Sequence, residues 1–183
     1  MPPYKFFFIS CLLLCNIVSA QHIYEAGDGL VSFHSSAPHE LIRASSGQLN
    51  CAIDVQKKQF AFRIDMRSFM GFNSPLQREH FNENYMESER YPEATFTGKI
   101  IEDNDLTRDG EYEVRAKGKM YIHGIAQERI IKAHVSTKNG KMSISAAFMV
   151  SLADHDIKIP RVVYDKLAPD ISVTVKADLK PGK

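Results

Sequence analysis

Apolar and polar residues alternate with period two over most of this chain. Phe60, Phe62, Ile64 and Met66 alternate with Ala61, Arg63, Asp65 and Arg67. Tyr112, Val114, Ala116, Gly118, Met120 and Ile122 alternate with Glu111, Glu113, Arg115, Lys117, Lys119 and Tyr121. The same pattern carries Met142 through Leu152, against Ser143, Ser145, Ala147, Met149 and Ser151, and Ile171 through Ala177, against Ser172, Thr174, Lys176 and Asp178. Period two puts successive side chains on opposite faces of a strand, so each segment predicts a strand with one dry and one wet face.

Turn residues punctuate the strands. Asn139-Gly140 suits a two-residue type I′ hairpin, because both positions accept positive φ. Asp109-Gly110 opens the long strand before it, and His123-Gly124 reverses the chain between Ile122 and Ile125. Pro160 and Pro169 bracket a loop ahead of the last strand. Residues 111–180 therefore predict an antiparallel meander. The strand over 111–122 has about a dozen residues, roughly 40 Å at ~3.3 Å per residue, against the usual ~5–6. Long one-sided strands bury their dry faces and lose their edges by closing into a barrel. Eight strands leave an interior that is filled by side chains or holds one small ligand.

One segment breaks the pattern. Pro75 to Ser88 predicts a helix with Ser74 as its cap, Pro75 in the first turn, and Phe81 and Tyr85 four apart on one face. It is placed as a lid or plug at a barrel mouth. The fold expected from the pattern is all-β: an antiparallel barrel with a short helical insert.

The first twenty residues differ in composition. Lys5 precedes an apolar run from Phe6 to Leu14, followed by Val18-Ser19-Ala20, which is the pattern of a secretory leader. The run is short for a membrane span, which needs ~20 residues. Residues 1–20 are read as a signal peptide cleaved near Ala20, with Gln21 to Lys183 as one domain in the periplasm or secreted. An uncleaved anchor, or a lipid anchor on Cys11 or Cys15, is the alternative reading.

Charge and cysteine content narrow the function. The net charge is +1, and loss of Lys5 leaves 22 cations against 22 carboxylates. A neutral chain with interspersed charge lacks the basic footprint of a nucleic-acid binder and has no basic run for an anionic membrane. Only Cys51 remains beyond the leader, so no internal disulfide forms, and its alternation with Leu49 and Ile53 marks it as a buried, inert thiol. The seven histidines show no metal-ligand spacing, and His155 between two aspartates reads as a polar turn. No nucleophile-base motif, glycosidase carboxylate pair or phosphate-loop glycine pattern is visible.

The stretch from Phe69 to Lys99, with Tyr91-Pro92 followed by Ala94-Thr95-Phe96, resembles the YceI family of exported bacterial proteins. Gly27 to Ser36, Gly118 to Gly124 (ending His123-Gly124) and Phe148 to Val175 agree with it in order. The resemblance implies a lipocalin-like, extended eight-stranded antiparallel β-barrel, an interior that binds a polyisoprenoid or other long-chain amphiphile, and no catalytic activity. The family's Arg-Asp-x-His-Leu pattern ahead of Tyr-Pro has a tighter counterpart here, Arg78-Glu79-His80-Phe81.

The expected ligand wall comprises Phe33, Phe60, Phe62, Ile64 and Met66, with Phe96, Ile144, Phe148 and Val150. Phe69, Phe72, Phe81 and Tyr85 are expected either to dock the helix or to gate the mouth. Arg78 and His80 are candidates for contact with a polar head, since arginine offers a planar fork of donors. The expected partner is a long-chain lipid or quinone-like amphiphile, with no other cofactor, no nucleic acid and no membrane span after cleavage; a homodimer is compatible. The function expected is sequestration or transport of an isoprenoid-type lipid. The rivals are a fatty-acid or fatty-amide carrier on the same fold, an interaction protein with a filled barrel, and an enzyme acting on a lipid, which would need a polar cluster deep in the tube.

Overall fold

Every alternating segment forms a strand in the computed structural model, which describes residues 22–182. The leader assigned to residues 1–20, and Gln21, lie outside the described residues. The strands are β1 (Ile23–Ser36), β2 (Leu41–Asp54), β3 (Gln59–Asp65), β4 (Glu93–Ile100), β5 (Gly110–Ile122), β6 (Ile125–Lys138), β7 (Lys141–Ser151) and β8 (Asp170–Pro181). They follow chain order around a closed antiparallel barrel, with β8 returning to β1 at Val31–Val175 and Phe33–Val173. Both two-residue turns take the expected form: φ is 52° and 71° at Asn139-Gly140, and 50° and 78° at His123-Gly124.

Up-and-down order sends connections alternately to two ends. The β2–β3, β4–β5 and β6–β7 turns and the strand ends at Ile23 and Pro181 share one end, the floor. The β1–β2 turn, the insert between β3 and β4, the His123-Gly124 turn and the segment from 152 to 169 share the other, the mouth. The floor half is packed solid. Tyr24, Cys51, Ile53, Phe60, Met142 and Leu179 belong to one buried cluster there. Gly98 and Gly118 sit opposite each other between β4 and β5, so close that a Cβ on Gly98 would lie 2.1 Å from the Lys117 carbonyl oxygen.

The mouth half is looser, because two ladders stop short. β2 and β3 pair only from Asn50–Arg63 to Asp54–Gln59. Above that point the insert takes over: Ser45 and Met70 exchange both backbone bonds at 2.8 and 2.9 Å, and the Ser46 and Ser68 hydroxyls meet at 2.6 Å. β6 and β7 pair only from Ala133–Ala146 to Lys138–Lys141. Above them, side chains of β6 close the seam. Arg129 donates to the Met149 carbonyl at 2.5 Å, and Gln127 to the Asp154 carbonyl at 2.7 Å.

The insert begins with a 3₁₀ turn (Met66–Ser68), followed by α1 (Pro75–His80). Ser74 caps α1 by accepting from the Gln77 N–H, as its position predicts. The predicted helix to Ser88 is not all α: Phe81–Tyr85 widens into a π turn, with the Met86 N–H bonded to the Phe81 carbonyl at 2.9 Å. Such turns redirect side chains within a helix, and both Phe81 and Tyr85 face the barrel interior.

Candidate functional site: a capped apolar cavity

The mouth half of the barrel encloses a cavity of about 560 Å³. Dry-face alternation builds its wall, since every second residue of each strand points inward. Phe62, Ile64, Phe96, Ile144, Phe148 and Val150 line it as expected. So do Phe33 and Met66, and the insert residues Phe69, Phe72, His80, Phe81 and Tyr85. Two expected residues do not. Phe60 lies a layer lower, its ring 4.8 Å from Phe96 and 5.8 Å from Phe62, so it belongs to the packed floor under the cavity. Arg78 turns away: its guanidinium donates to the carbonyls of Phe69 at 3.2 Å and Arg67 at 3.0 Å. It pins the insert to itself, because carbonyls left unpaired by the irregular 66–74 stretch need donors.

The rings at the mouth dock and line at once. Phe33 of β1 stands 5.3 Å from Phe69, 6.0 Å from Phe72 and 5.4 Å from Phe81. Phe72 and Phe81 are 5.1 Å apart. These distances are ordinary aromatic contacts. The four rings therefore hold the insert on the barrel while presenting faces to the cavity.

Three pieces cap the mouth: the insert, the β1–β2 turn, and a strap from Leu152 to Pro169. The strap is clipped down by Leu152 N–H to the Pro169 carbonyl at 2.9 Å, by Ala168 N–H to the Ser35 hydroxyl at 2.8 Å, and by His39 N–H to the Asp165 carbonyl at 2.9 Å. Ile157, Val163, Lys166 and Leu167 of the strap line the cavity, as do Val31, Met120 and Val173 of the wall. Residues from this strap were absent from the sequence expectation, since a loop has no periodicity to expose its inner face. The wall residues carried the same alternation as those chosen.

Insert, turn and strap meet at His123. Its ring contacts the Glu87 carboxylate at 2.7 Å and the His155 carbonyl at 2.9 Å. Tyr91 packs edge-on against it at 4.8 Å and covers Gly124. The Tyr-Pro and His-Gly motifs are thus one structural joint. His155, expected in a polar turn, is instead buried at 1% exposure, and its Nδ1 has no hydrogen-bond partner among the described residues. The 3₁₀ turn (Ala153–His155) packs against β6 and tucks the ring under the strap while its two aspartates stay outside. Burial lowers its pKa from the ordinary histidine value, with backbone groups of Ile125 and Ile122 opposing.

Polar lining groups come from the rim. Glu40, Ser74, Gln77, His80 and Lys166 belong to the cap, and Gln77 donates to Glu40 at 2.8 Å. Arg63, Thr95 and Ser145 contribute from outward register positions on the strands. Away from the cavity, His134 lies outside the barrel between Glu111 and Glu113, each at 2.7 Å. The hydrogen bond to Glu113, then that to Glu111, raises its pKa. Among the described residues no group of three or more His, Cys, Asp and Glu is disposed to hold a metal ion. No helix among them is long and apolar enough to cross a membrane.

A closed eight-stranded barrel whose Tyr-Pro and His-Gly motifs join at a capped apolar cavity agrees with the profile of the YceI-like domain, which matches residues 29–179. The chain belongs to the YceI-like domain family. Its fold is that of a polyisoprenoid binding domain from Saccharophagus degradans implicated in plant cell wall breakdown: TM-score 0.76, 13% identity, over 88% of this chain and 99% of that one. Burkholderia cenocepacia BcnA is similar at TM-score 0.68 and 14% identity, over 82% of this chain and 95% of BcnA. A Campylobacter jejuni YceI protein is similar at TM-score 0.59 and 14% identity, over 74% and 81%. No curated protein matches this chain. At these identities the likeness to these three structures is one of fold.

Proposed function

We propose that this YceI-like chain is an exported carrier that sequesters or ferries a long-chain isoprenoid-type lipid, held in the barrel cavity, and that no catalytic step is involved. The observation that carries this reading is the half-empty barrel. A packed floor under an apolar space of about 560 Å³ falls within the ~300–1,000 Å³ of known small-molecule sites. Burial of each methylene contributes ~0.8 kcal/mol, so about ten would offset the ordering of a flexible chain and leave useful affinity. The S. degradans domain of this fold is described as polyisoprenoid binding, which supports the ligand class. The leader-like residues 1–20 support a periplasmic or secreted location.

In this reading Phe62, Ile64, Met66, Phe96, Ile144, Phe148 and Val150 contact the chain of the ligand. Phe33, Phe69, Phe72, Phe81 and Tyr85 contact it near the mouth, and His80 faces its head. A carboxylate-headed ligand, a fatty acid, is the second reading, favoured by Lys166 in the lining at the rim. Native mass spectrometry of protein purified from its own host, followed by solvent extraction, tests both. A co-purifying prenyl chain is the expected result. A fatty-acid mass moves the assignment to the second reading. A protein that is empty and ignores added lipids of both classes overturns the carrier reading.

A further inference from the structure

The floor begins where side chains change size. Val114 of β5 and Val135 of β6 are 4% and 2% exposed within the floor cluster. One inward position nearer the mouth, Ala116 and Ala133 line the cavity, still touch that cluster, and are only half-buried. Ala133 pairs with Ala146 of β7, a third small residue on the wall. An inward methyl that stays accessible faces open space, which a branched side chain in its place would fill. The inward residues of β5, β6 and β7 that line the cavity are all apolar, while Glu40, Gln77, His80 and Lys166 stand on the cap. A polar head therefore finds partners only at the rim, and moving it deeper would leave it unpaired.

With the head fixed at the rim and the floor packed, we infer that Ala116 and Ala133 set the reach of the ligand, limiting it to one apolar chain of about sixteen backbone carbons, tail down. From Ile144 at the floor to Leu152 at the mouth, the β7 side of the wall spans eight residue steps, 144 to 152. At ~3.3 Å per step and a strand tilt of ~40°, that is a depth of about 20 Å. A zigzag carbon chain advances roughly 1.25 Å per atom at ordinary bond lengths and angles, which gives about sixteen atoms. The geranylgeranyl and palmitoyl chains have that length. Carbons beyond it stay outside the rim, in water. The length limit rests on the carrier reading and holds for either cargo.

The test loads the protein, as processed by its own host and stripped of lipid, from detergent micelles, with occupancy read by native mass spectrometry. The probes are geraniol, farnesol, geranylgeraniol and solanesol, and lauric, palmitic and lignoceric acids. A micelle already covers every carbon, so chains within reach should load alike, and each carbon forced into water should lower loading about fourfold. Geranylgeraniol and palmitic acid are expected to load, and solanesol and lignoceric acid to be excluded. Ala133→Leu and, separately, Ala116→Leu each add three carbons at the floor, so geranylgeraniol should fall about fiftyfold relative to farnesol. Lys132→Leu places the same side chain on the outer face and should keep the parent's limit. Circular dichroism checks that each variant is folded; if neither alanine variant folds, the exclusion of solanesol by the parent still decides. Solanesol loading as readily as geranylgeraniol overturns the inference and leaves the carrier reading standing. A limit that stays in place in folded Ala133→Leu and Ala116→Leu overturns it too. Acids that obey the limit while no prenol loads uphold it and change the cargo. A parent that takes up no chain of either class overturns the carrier reading and the length limit with it.

Discussion

Arg129 donates from Nη2 to the carbonyl oxygen of Met149 at 2.5 Å, bridging the stretch where β6 and β7 have stopped pairing. Arg129 occupies a dry-face position of β6, two residues from buried Ile131, yet it carries a charge. Its side chain reaches sideways into the seam and also lies 3.4 Å from Asp154. A charged donor replaces the missing ladder because a lone carbonyl at a strand edge needs a partner.

Arg129→Met should therefore destabilise the fold by about 1.5 kcal/mol, the lower end for a bond to a charged donor, since the side chain is partly exposed. Urea unfolding followed by circular dichroism measures it. Arg129→Lys should recover little, because a single ammonium cannot serve two acceptors in the way a planar fork does. An unchanged midpoint for Arg129→Met would mean that the seam is held by packing alone.

Gly98→Ala should cost about 3 kcal/mol or more, or prevent folding, because the added Cβ meets backbone at 2.1 and 2.5 Å and backbone cannot step aside. Gly47→Ala is the control: nothing lies within 4 Å of its added Cβ, so its effect should stay within about 0.5 kcal/mol. Equal thermal midpoints for the two variants would contradict the close approach of β4 and β5.

Phe148→Arg should abolish lipid loading in a folded protein, since it puts an unpaired charge on the cavity wall. Ile130→Arg, on the outer face of β6, should load normally. Loading by both variants alike, followed by extraction and mass measurement, would remove Phe148 from the binding wall.

Acid should weaken the cap through His155. Its folded pKa is lowered by burial, so the unfolded chain binds this proton at higher pH than the folded one. Stability is then present in full above the ordinary histidine value of about 6.5 and falls as pH drops toward the lowered folded value. His134 acts in the opposite sense, its contribution present below its ordinary value and lost as pH rises through the raised one. It is exposed on the outer face of the sheet, so solvent screening keeps that effect small. His155→Leu should flatten the stability profile between pH 7 and pH 5 relative to the parent, about two pH steps around the ordinary value. An identical slope in both proteins would show that another group controls acid sensitivity.

Burial pushes the Cys51 thiol up to about 11. The native protein should thus leave a thiol reagent unreacted at pH 8 and react fully in denaturant, read by absorbance or mass.

The strand faces were legible because the side-chain period of a strand is two and each dry face had to find cover. Phe62, Ile64 and Phe148 were placed on the wall by alternation alone, and Asn139-Gly140 by its tolerance of positive φ. The Ser74 cap was legible for an equally local reason. The height of a residue along the barrel was not. Phe60 and Phe62 share a face and a composition, but one is floor and the other wall, because depth depends on how neighbouring strands are staggered.

The chain's own pattern therefore determined the all-β class, its dry faces and its turns, since these follow from spacing along one strand or one turn; the barrel followed from the need of long one-sided strands to find cover, and the family resemblance was carried by the motifs themselves. Tertiary structure decided the rest: where packing ends and the cavity begins, that Arg78 serves carbonyls while His80 faces the interior, that His155 is buried, and that a strap with no periodicity closes the mouth. Those outcomes depend on contacts between segments far apart in sequence, and no local spacing encodes the distance between them.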